Sequence, residues 1–338
     1  MGTKHPIEEK RYFIPMPEMI VFHEHVMDTY DLGLCGTICY AAGGTGKTTA
    51  IAYSSNKVVE DLGDDAPAVL VSILGEGISY QPKALLCELT KFWPDFGTLK
   101  FNVTLERMKD AVIAYLSEAG VKHNNEILMY IDEAQSMSTE NLTVLMYISN
   151  ILRFNKISIT YILVGQMSLK YLRNAMIGKK GEYEHIIRRF MNTEHEVHGL
   201  NGYNDIYCFF KGHDIIRYND LTYTGYFFPN GFAKGKLLAD EAQVFYDVLK
   251  EESGLEEIPE MTMFEITTII RHVFIHGKRS KKEWPDKEDW RCVVKKLDFG
   301  HKLRERASME EIEAPDELFK KLKQNKKKKK KASNKKGA

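Results

Sequence analysis

The sequence of 338 residues lacks a long apolar run, paired cysteines and any excess of charge of one sign. No run approaches the roughly 18–20 apolar residues of a membrane-spanning helix, and residues 1–10 are too polar for a signal peptide. The five cysteines are odd in number and contain no CxxC pair, which favours reduced thiols over a disulfide framework. We therefore expect a cytoplasmic protein with no membrane partner.

The zero net charge hides two parts of opposite charge. Residues 1–277 hold 25 basic and 36 acidic side chains, whereas residues 320–338 hold 11 lysines and no acid. Past Leu322 no large apolar residue remains, so we expect residues 320–338 to be a disordered basic tail. Dense lysines bind nucleic acid without sequence choice. An acidic partner protein, the acidic body of this chain or solubility alone would explain them as well.

Apolar strands alternate with helical segments from residue 31 to residue 200. Hydrophobic residues make up 43% of the chain, which is enough for a sizeable core. Strands that alternate with helices pair in parallel through right-handed crossovers. We therefore predict an α/β fold with a five-stranded parallel sheet flanked by helices. The predicted strands are residues 36–42, 68–74, 127–131, 157–164 and 194–200.

The segments outside this pattern differ in composition. Residues 1–30 form a predicted N-terminal extension with a helix over Glu18–Tyr30. Residues 201–277 have helical spacing and an aromatic stretch, 215–228, that suits a hairpin, so we expect a small, mostly helical, lid-like subdomain. A charged segment, 278–319, leads to the tail.

A phosphate-binding loop follows the first predicted strand. The run from Ala41 to Thr49 has the spacing GxxxxGK[ST], with Ala41 where the first glycine usually stands. Small residues let successive backbone N–H groups curl around phosphates, and the N-terminus of the following helix favours an anion. We expect Lys47 to contact the β- and γ-phosphates of ATP and Thr48 to contact Mg²⁺. The candidate nucleotide contacts are Gly43, Gly44, Thr45, Gly46, Lys47, Thr48 and Thr49.

Two acids end the third predicted strand, as in a Walker B motif. The apolar run 127–131 is followed directly by Asp132 and Glu133. A buried strand that ends in an unpaired carboxylate is costly, so these acids need a reason to be there. We expect Asp132 to hold Mg²⁺ together with Thr48, and Glu133 to polarise the attacking water as a general base. Taken without the phosphate-binding loop, the two acids would be equally consistent with a solvated strand end.

Three further candidates follow from position in the predicted sheet. The fourth strand should lie beside the first, which places Gln166 near the γ-phosphate, although a polar strand cap is the alternative. Arg188 and Arg189 lie on a helix before the last strand, where an arginine of an oligomeric ATPase reaches the neighbouring subunit's γ-phosphate. Arg189 is the first choice for this role and Arg188 the second, and an ion-paired helix face is the alternative.

Together these motifs resemble the TnsC/TniB group of AAA+ ATPases, the target-selection regulators of Tn-seven-like transposons, which are related to the phage MuB and ExeA proteins. The resemblance covers about residues 35–200. Besides the phosphate-binding loop, it rests on Ile131–Gln135 (IDEAQ), Ile162–Gln166 (ILVGQ) and the Arg-Arg-Phe at 188–190. It implies a RecA-like AAA+ domain over residues 31–200 that binds and hydrolyses ATP with Mg²⁺.

The resemblance also implies an assembly and its partners. Such proteins form head-to-tail rings or helical filaments on double-stranded DNA, recruit transposase subunits and disassemble on hydrolysis. Their target-selection partner is a CRISPR-associated effector in some systems and a site-specific DNA-binding protein in others. Cations facing the DNA are expected on the loops after the second strand, although solvated surface charge is the simpler explanation for each. The candidates are Lys100, Arg107, Lys109 and Lys122.

The sequence leaves two other functions open. An ATPase of the same architecture would also suit a secretion, DNA-repair or replication-loading system. A nucleotide-dependent scaffold would bind ATP with little turnover, even in the presence of DNA. Stimulation of ATP hydrolysis by DNA distinguishes the transposition regulator from both of these alternatives.

Overall fold

The computed structural model describes residues 4–75, 81–100, 102–179 and 181–310. The predicted basic tail and residues 311–319 of the charged segment lie outside these residues. None of the helices within the described ranges is long and apolar enough to cross a membrane.

Contacts divide the described residues into two units. The sheet unit comprises residues 13–200 and 261–267, and the helical unit comprises residues 4–12, 201–260 and 268–310. One division between the units falls after residue 200. The predicted N-terminal extension, 1–30, is instead divided after residue 12, because its helix packs on the sheet unit.

Strands and helices of the sheet unit alternate along the chain, as the apolar pattern predicts. They are α1 (Pro17–Asp31), β1 (Gly36–Ala41), α2 (Lys47–Leu62), β2 (Ala68–Ile73), α3 (Pro82–Thr90), α4 (Leu105–Lys122), β3 (Glu126–Asp132), α5 (Thr139–Phe154), β4 (Ser158–Gln166), α6 (Met167–Ile177), α7 (Glu184–Phe190) and β5 (Thr193–Glu196).

The five strands form a parallel sheet in the order β2-β3-β4-β1-β5, which confirms the predicted α/β fold. All six residues of β1 are buried, and so are all of β3 after its first residue. Strands covered on both faces read as continuous apolar runs rather than as alternating ones, which explains their sequences. β4 lies beside β1, as predicted, and pairs with β3 on its other side; its last residue, Gln166, pairs with Ala41.

The strand β5 is shorter than the predicted range, 194–200. Its partner β1 ends at Ala41, where the chain turns into the phosphate-binding loop, so the residues after Val197 have no strand beside them. Val197 N–H still donates to Tyr40 O at 2.9 Å, and Leu200 forms an isolated antiparallel bridge with Met261. The length of β5 is therefore set by its neighbour and not by its own residues.

A buried hydrogen-bond network holds α1 and α2 against β3. Ser54 Oγ lies 2.9 Å from Tyr130 Oη and 3.0 Å from His23 Nδ1, and His23 Nε2 lies 3.1 Å from an Asp61 carboxylate oxygen. Burial raises the pKa of Tyr130, so its hydroxyl stays protonated and able to donate. Hydrogen bonds of this kind are directional and strong in a low-dielectric interior. They fix the rotation of α2, the helix whose first residue is Lys47.

The helical unit is built from short elements around an aromatic core. Trp290 is fully buried and lies 5.4 Å from the rings of both Phe210 and Phe245. The elements are α8 (Gly202–Ile215), β6 (Arg217–Tyr218), β7 (Leu221–Thr222), α9 (Tyr223–Phe227), α10 (Pro229–Ala233), α11 (Ala242–Ser253), α12 (Met263–Ser280), α13 (Lys287–Lys296) and α14 (Phe299–Glu310). The first five residues of α12, up to residue 267, are grouped with the sheet unit.

The hairpin suggested for residues 215–228 is present but very short. β6 and β7 have two residues each, joined by Asn219 and Asp220, whose φ angles of 49° and 66° suit the tight turns that favour Asn and Asp. Thr222 then accepts a hydrogen bond from Gly225 N–H at 3.0 Å and so caps α9. The aromatic residues that suggested a longer strand form this short helix instead.

We predict that Gly120→Ala destabilises the sheet unit. A methyl group at this position of α4 would lie 2.7 Å from Ile157 Cγ2, which is closer than packed atoms allow. Overpacking costs about 1–3 kcal/mol, which exceeds the gain of up to about 1 kcal/mol that alanine gives in a helix. The measurement is the urea midpoint of unfolding. Val121→Ala, at a neighbouring side chain that is 67% exposed, is the control and should leave the midpoint unchanged.

Candidate nucleotide-binding site

The loop between β1 and α2 has the conformation of a phosphate-binding loop. Gly44 and Gly46 have φ angles of 79° and 106°, a region that side chains with a Cβ rarely adopt. No side chain caps the N-terminus of α2, whose preceding residue is Gly46. The first N–H groups of the helix are therefore available to an anion, which the helix dipole also favours.

Lys47 lies inside the loop. Its side chain is buried, and Nζ donates to Ala42 O at 2.7 Å and to Ala41 O at 3.4 Å. Burial lowers the pKa of the Lys47 ammonium, while the carboxylates of Glu133 and Asp132 act in the opposite direction. A phosphate in the loop would replace the two carbonyl partners with a charged one, which makes a stronger hydrogen bond.

Thr48 meets Asp132 at the carboxyl end of the sheet. Thr48 Oγ1 donates to Asp132 Oδ2 at 2.5 Å, and Asp132 Oδ1 accepts from Glu133 N–H at 2.9 Å. Asp132 is only 1% exposed, so burial and these two hydrogen bonds keep its carboxylate beside Thr48. A hydroxyl and a carboxylate oxygen beside a phosphate-binding loop are the ligands that Mg²⁺ takes in nucleotide sites, and the residues present fit this ion.

Glu133 is held by a neighbour whose role the sequence did not reveal. Gln135 Nε2 donates to Glu133 Oε2 at 2.5 Å, and Gln135 Oε1 accepts from Gln166 N–H at 3.0 Å. Gln135 thus connects the candidate base with the end of β4. Gly165 makes room for it, since a Cβ there would lie 2.5 Å from Gln135 Oε1. A glycine inside a buried strand is the one sequence signal for this close approach.

Gln166 lies at the edge of the sheet that carries the loop and the two acids. It is the last residue of β4, between the strands that carry the loop and the acids, and its side chain is exposed. Its backbone N–H donates to Gln135 Oε1 at 3.0 Å.

The two candidate arginines on α7 make contacts within the chain. Arg188 is 76% exposed and forms an ion pair with Glu184 at 2.5 Å, one helical turn away. Arg189 Nη1 donates to Asn150 Oδ1 at 2.5 Å and to Met146 O at 3.4 Å. An exposed ion pair contributes little to stability, so the contact with Glu184 leaves the Arg188 side chain able to move to another partner.

The structure does not bring the four candidate DNA-binding cations together. Lys100 and Arg107 are exposed, the Lys109 ammonium lies 4.8 Å from the centre of the Tyr147 ring, and Lys122 pairs with Glu118 at 2.8 Å. The expectation that they lie on loops is wrong for three of them, which belong to α4. Lys109 and Lys122 are about 20 Å apart along this helix at 1.5 Å per residue.

Residues 261–267 cover the phosphate-binding loop, which the sequence did not indicate. Phe264 N–H donates to Gly44 O at 3.3 Å. The side chain of Met263 lies against Gly46, where an added Cβ would be 3.2 Å from Met263 Cγ. The bridge between Leu200 and Met261 holds this segment in the sheet unit.

A cleft of about 570 Å³ adjoins the loop along α2. Phe13 and Tyr53 line it with their ring centres 6.1 Å apart and their planes inclined by 29°, and Thr48 and Thr49 form the end nearest the loop. Aromatic faces of this kind suit a planar ring. The cleft is therefore a candidate for the nucleoside part of a nucleotide.

Comparison with known proteins agrees with this geometry. Residues 36–172 match the family model described as an AAA domain. The chain is similar to the ORC2 protein of Aeropyrum pernix in its ADPNP–ADP complexes, with a TM-score of 0.58 and 13% identity over 87% of this chain and 72% of that one. It is also similar to Cdc6p of Pyrobaculum aerophilum, with a TM-score of 0.51 and 12% identity over 84% and 69%.

No curated protein sequence matches the chain. The identities of 12% and 13% establish a shared fold and nothing finer. Residues 36–172 therefore match the AAA domain family, and the chain shares its fold with these ORC2 and Cdc6p structures.

Proposed function

We propose that this protein is an AAA+ ATPase that assembles head-to-tail on double-stranded DNA and regulates DNA transposition. One observation carries the enzymatic part. Thr48, Asp132 and Glu133 converge at the N-terminus of α2, and Gln135 holds Glu133 in place. A phosphate-binding loop alone would support nucleotide binding, whereas an oriented carboxylate beside it supports hydrolysis.

Each residue of the site has a part in this proposal. The backbone N–H groups from Gly43 to Thr49 and the Lys47 ammonium bind the phosphates of ATP. Thr48 and Asp132 would hold Mg²⁺, which would supply positive charge beside the phosphate oxygens. Glu133 takes a proton from the attacking water, and Gln166 orients that water or the γ-phosphate. The similar ORC2 structures contain ADPNP and ADP, which supports an adenine nucleotide as the ligand here.

We predict that Glu133→Gln separates binding from hydrolysis. The variant keeps the phosphate contacts but loses the base, so kcat for ATP hydrolysis should fall about 10²–10⁴-fold while affinity for a fluorescent ATP analogue is retained. Lys47→Ala is the contrasting variant and should lose the affinity itself. Hydrolysis at the wild-type rate by Glu133→Gln would remove Glu133 from the mechanism.

Gln135 is proposed as a positioning residue, and its substitution should affect kcat alone. Gln135→Ala frees Glu133 and should lower kcat roughly 10–100-fold, a loss typical of orienting partners, with KM for ATP unchanged. Gly165→Ala should likewise lower kcat and leave KM for ATP unchanged, since its methyl group displaces the Gln135 side chain. Gln243→Ala, at an exposed glutamine of α11, is the matched control. An equal rise in KM would indicate a general structural defect instead.

Assembly on DNA rests on the resemblance to the TnsC/TniB group and on α7. A head-to-tail interface joins two different surfaces, so it propagates into rings or filaments. Arg189 or Arg188 would reach the nucleotide of the next subunit and couple assembly to bound ATP. Transposase subunits and a target-selection protein, in some systems CRISPR-associated, are the proposed partners of the assembled form.

Electron microscopy with duplex DNA tests this part directly. With a non-hydrolysable ATP analogue we expect rings or filaments, and with no nucleotide we expect none. Whichever of Arg189→Ala and Arg188→Ala removes the trans-acting finger should lower DNA-stimulated hydrolysis about 10³-fold or more. Arg153→Ala, at an exposed arginine of α5, is the control of equal charge. Monomers alone in the presence of ATP analogue and DNA would contradict the proposal.

A further inference from the structure

Within the helical unit, a cleft of about 470 Å³ is lined mainly by cationic side chains. It lies between the segment of residues 4–12 and the part of α12 after residue 270. We call it the basic cleft, and its lining residues are Lys4, Glu8, Arg271, Ile275, Lys278 and Arg279. Four cations face one carboxylate, which gives the lining a formal charge of +3.

Two of the cations are held in place by the N-terminal segment. Arg271 donates through Nε to Ile7 O at 3.0 Å and through Nη2 to Glu8 O at 3.2 Å. Lys278 Nζ donates to Glu8 Oε1 at 3.1 Å and to Tyr226 Oη at 2.9 Å, and it lies 4.1 Å from the centre of the Tyr226 ring. These contacts immobilise positive charge at the wall of the cleft before any ligand binds, which lowers the entropic cost of binding.

The other two cations, Lys4 and Arg279, have no carboxylate partner among the residues that the structure describes. Cations in the last turn of a helix complement its dipole, and this explains Lys278 and Arg279. It does not explain Arg271, which lies in the middle of α12, or Lys4, which comes from another segment. The Glu8 carboxylate compensates only one of these four charges, and a bound anion would relieve the remaining repulsion.

We propose that the basic cleft binds the phosphodiester backbone of double-stranded DNA. Arg271 and Lys278 are seven residues apart, or about 10 Å along the helix axis. Phosphates of one strand rise about 3.4 Å each along a duplex, so the cleft faces about three of them. Such contacts fix a protein on DNA without reading its sequence. The inference rests on the DNA-binding part of the proposed function and adds a contact surface that lies outside the sheet unit.

The test measures how DNA binding by the full chain depends on salt. The variant Lys4→Gln/Arg279→Gln removes the two unpartnered cations, and the probe is a fluorescent duplex of arbitrary sequence with a non-hydrolysable ATP analogue. The slope of log K against log salt should become shallower by about 1.8, since each phosphate contact contributes about 0.9. Between 50 and 200 mM salt the wild type should then lose about 12-fold more affinity than the variant.

Two controls separate charge at this place from charge in general. Lys296→Gln/Lys302→Gln removes two exposed lysines of the same unit and should leave the slope close to that of the wild type. Lys4→Arg/Arg279→Lys keeps the charges and should also keep the slope. Affinity for the ATP analogue should be unchanged in all variants.

Three outcomes count against the inference. If the wild type binds duplex DNA and Lys4→Gln/Arg279→Gln keeps the full slope, the basic cleft is not a DNA contact and the proposed function stands without it. If Lys296→Gln/Lys302→Gln makes the slope shallower by the same amount, the loss of any two surface cations has this effect, and the basic cleft is not a specific contact. If the wild type does not bind duplex DNA at all, the DNA-binding part of the proposed function fails, and this inference fails with it.

Discussion

The hydrogen bond between Thr48 Oγ1 and Asp132 Oδ2 joins residues 84 positions apart in the chain, and the candidate site depends on it. Thr48 lies in the first turn of α2, after β1, whereas Asp132 ends β3. These two strands are not neighbours, because β4 lies between them. The register of three strands therefore sets the distance between hydroxyl and carboxylate. A slip of one residue in β3 would turn Asp132 to the opposite face of the sheet.

Glu133, directly after β3, has a constrained backbone and side chain. Its φ of 57° lies in the left-handed region, which is unfavourable for a residue with a side chain. Such strain persists where surrounding contacts determine the conformation, and it is common at functional sites. Here the contacts come from Gln135, which spans from the Glu133 carboxylate to the backbone of Gln166, with Gly165 leaving the space for it. Strain and hydrogen bonds together direct the carboxylate towards the loop.

Charge in this protein is organised locally. Residues 1–277 carry more acid than base, which disfavours DNA at long range. At short range a bound phosphate is affected mainly by charges within about a Debye length, roughly 8–10 Å at physiological salt. The basic cleft gathers four cations on one lining, although two of them, Lys4 and Arg271, belong to the acidic part of the sequence. An overall charge of zero is thus compatible with an anion-binding surface.

The sequence by itself determined the α/β fold, the parallel sheet, the position of β4 beside β1 and the residues of the phosphate-binding loop. These follow from apolar periodicity and from the spacing of Gly46, Lys47 and Thr48, which are local properties of the chain. Only the tertiary structure decided that β5 stops at Glu196, that Gln135 holds Glu133, and that Lys4 lies beside Arg271 in one cleft. The last two results depend on hydrogen bonds between residues that are distant in the chain, from Gln166 to Gln135 over 31 positions and from Arg271 to Ile7 over 264. No local pattern encodes such pairs, because packing of the whole unit brings them together.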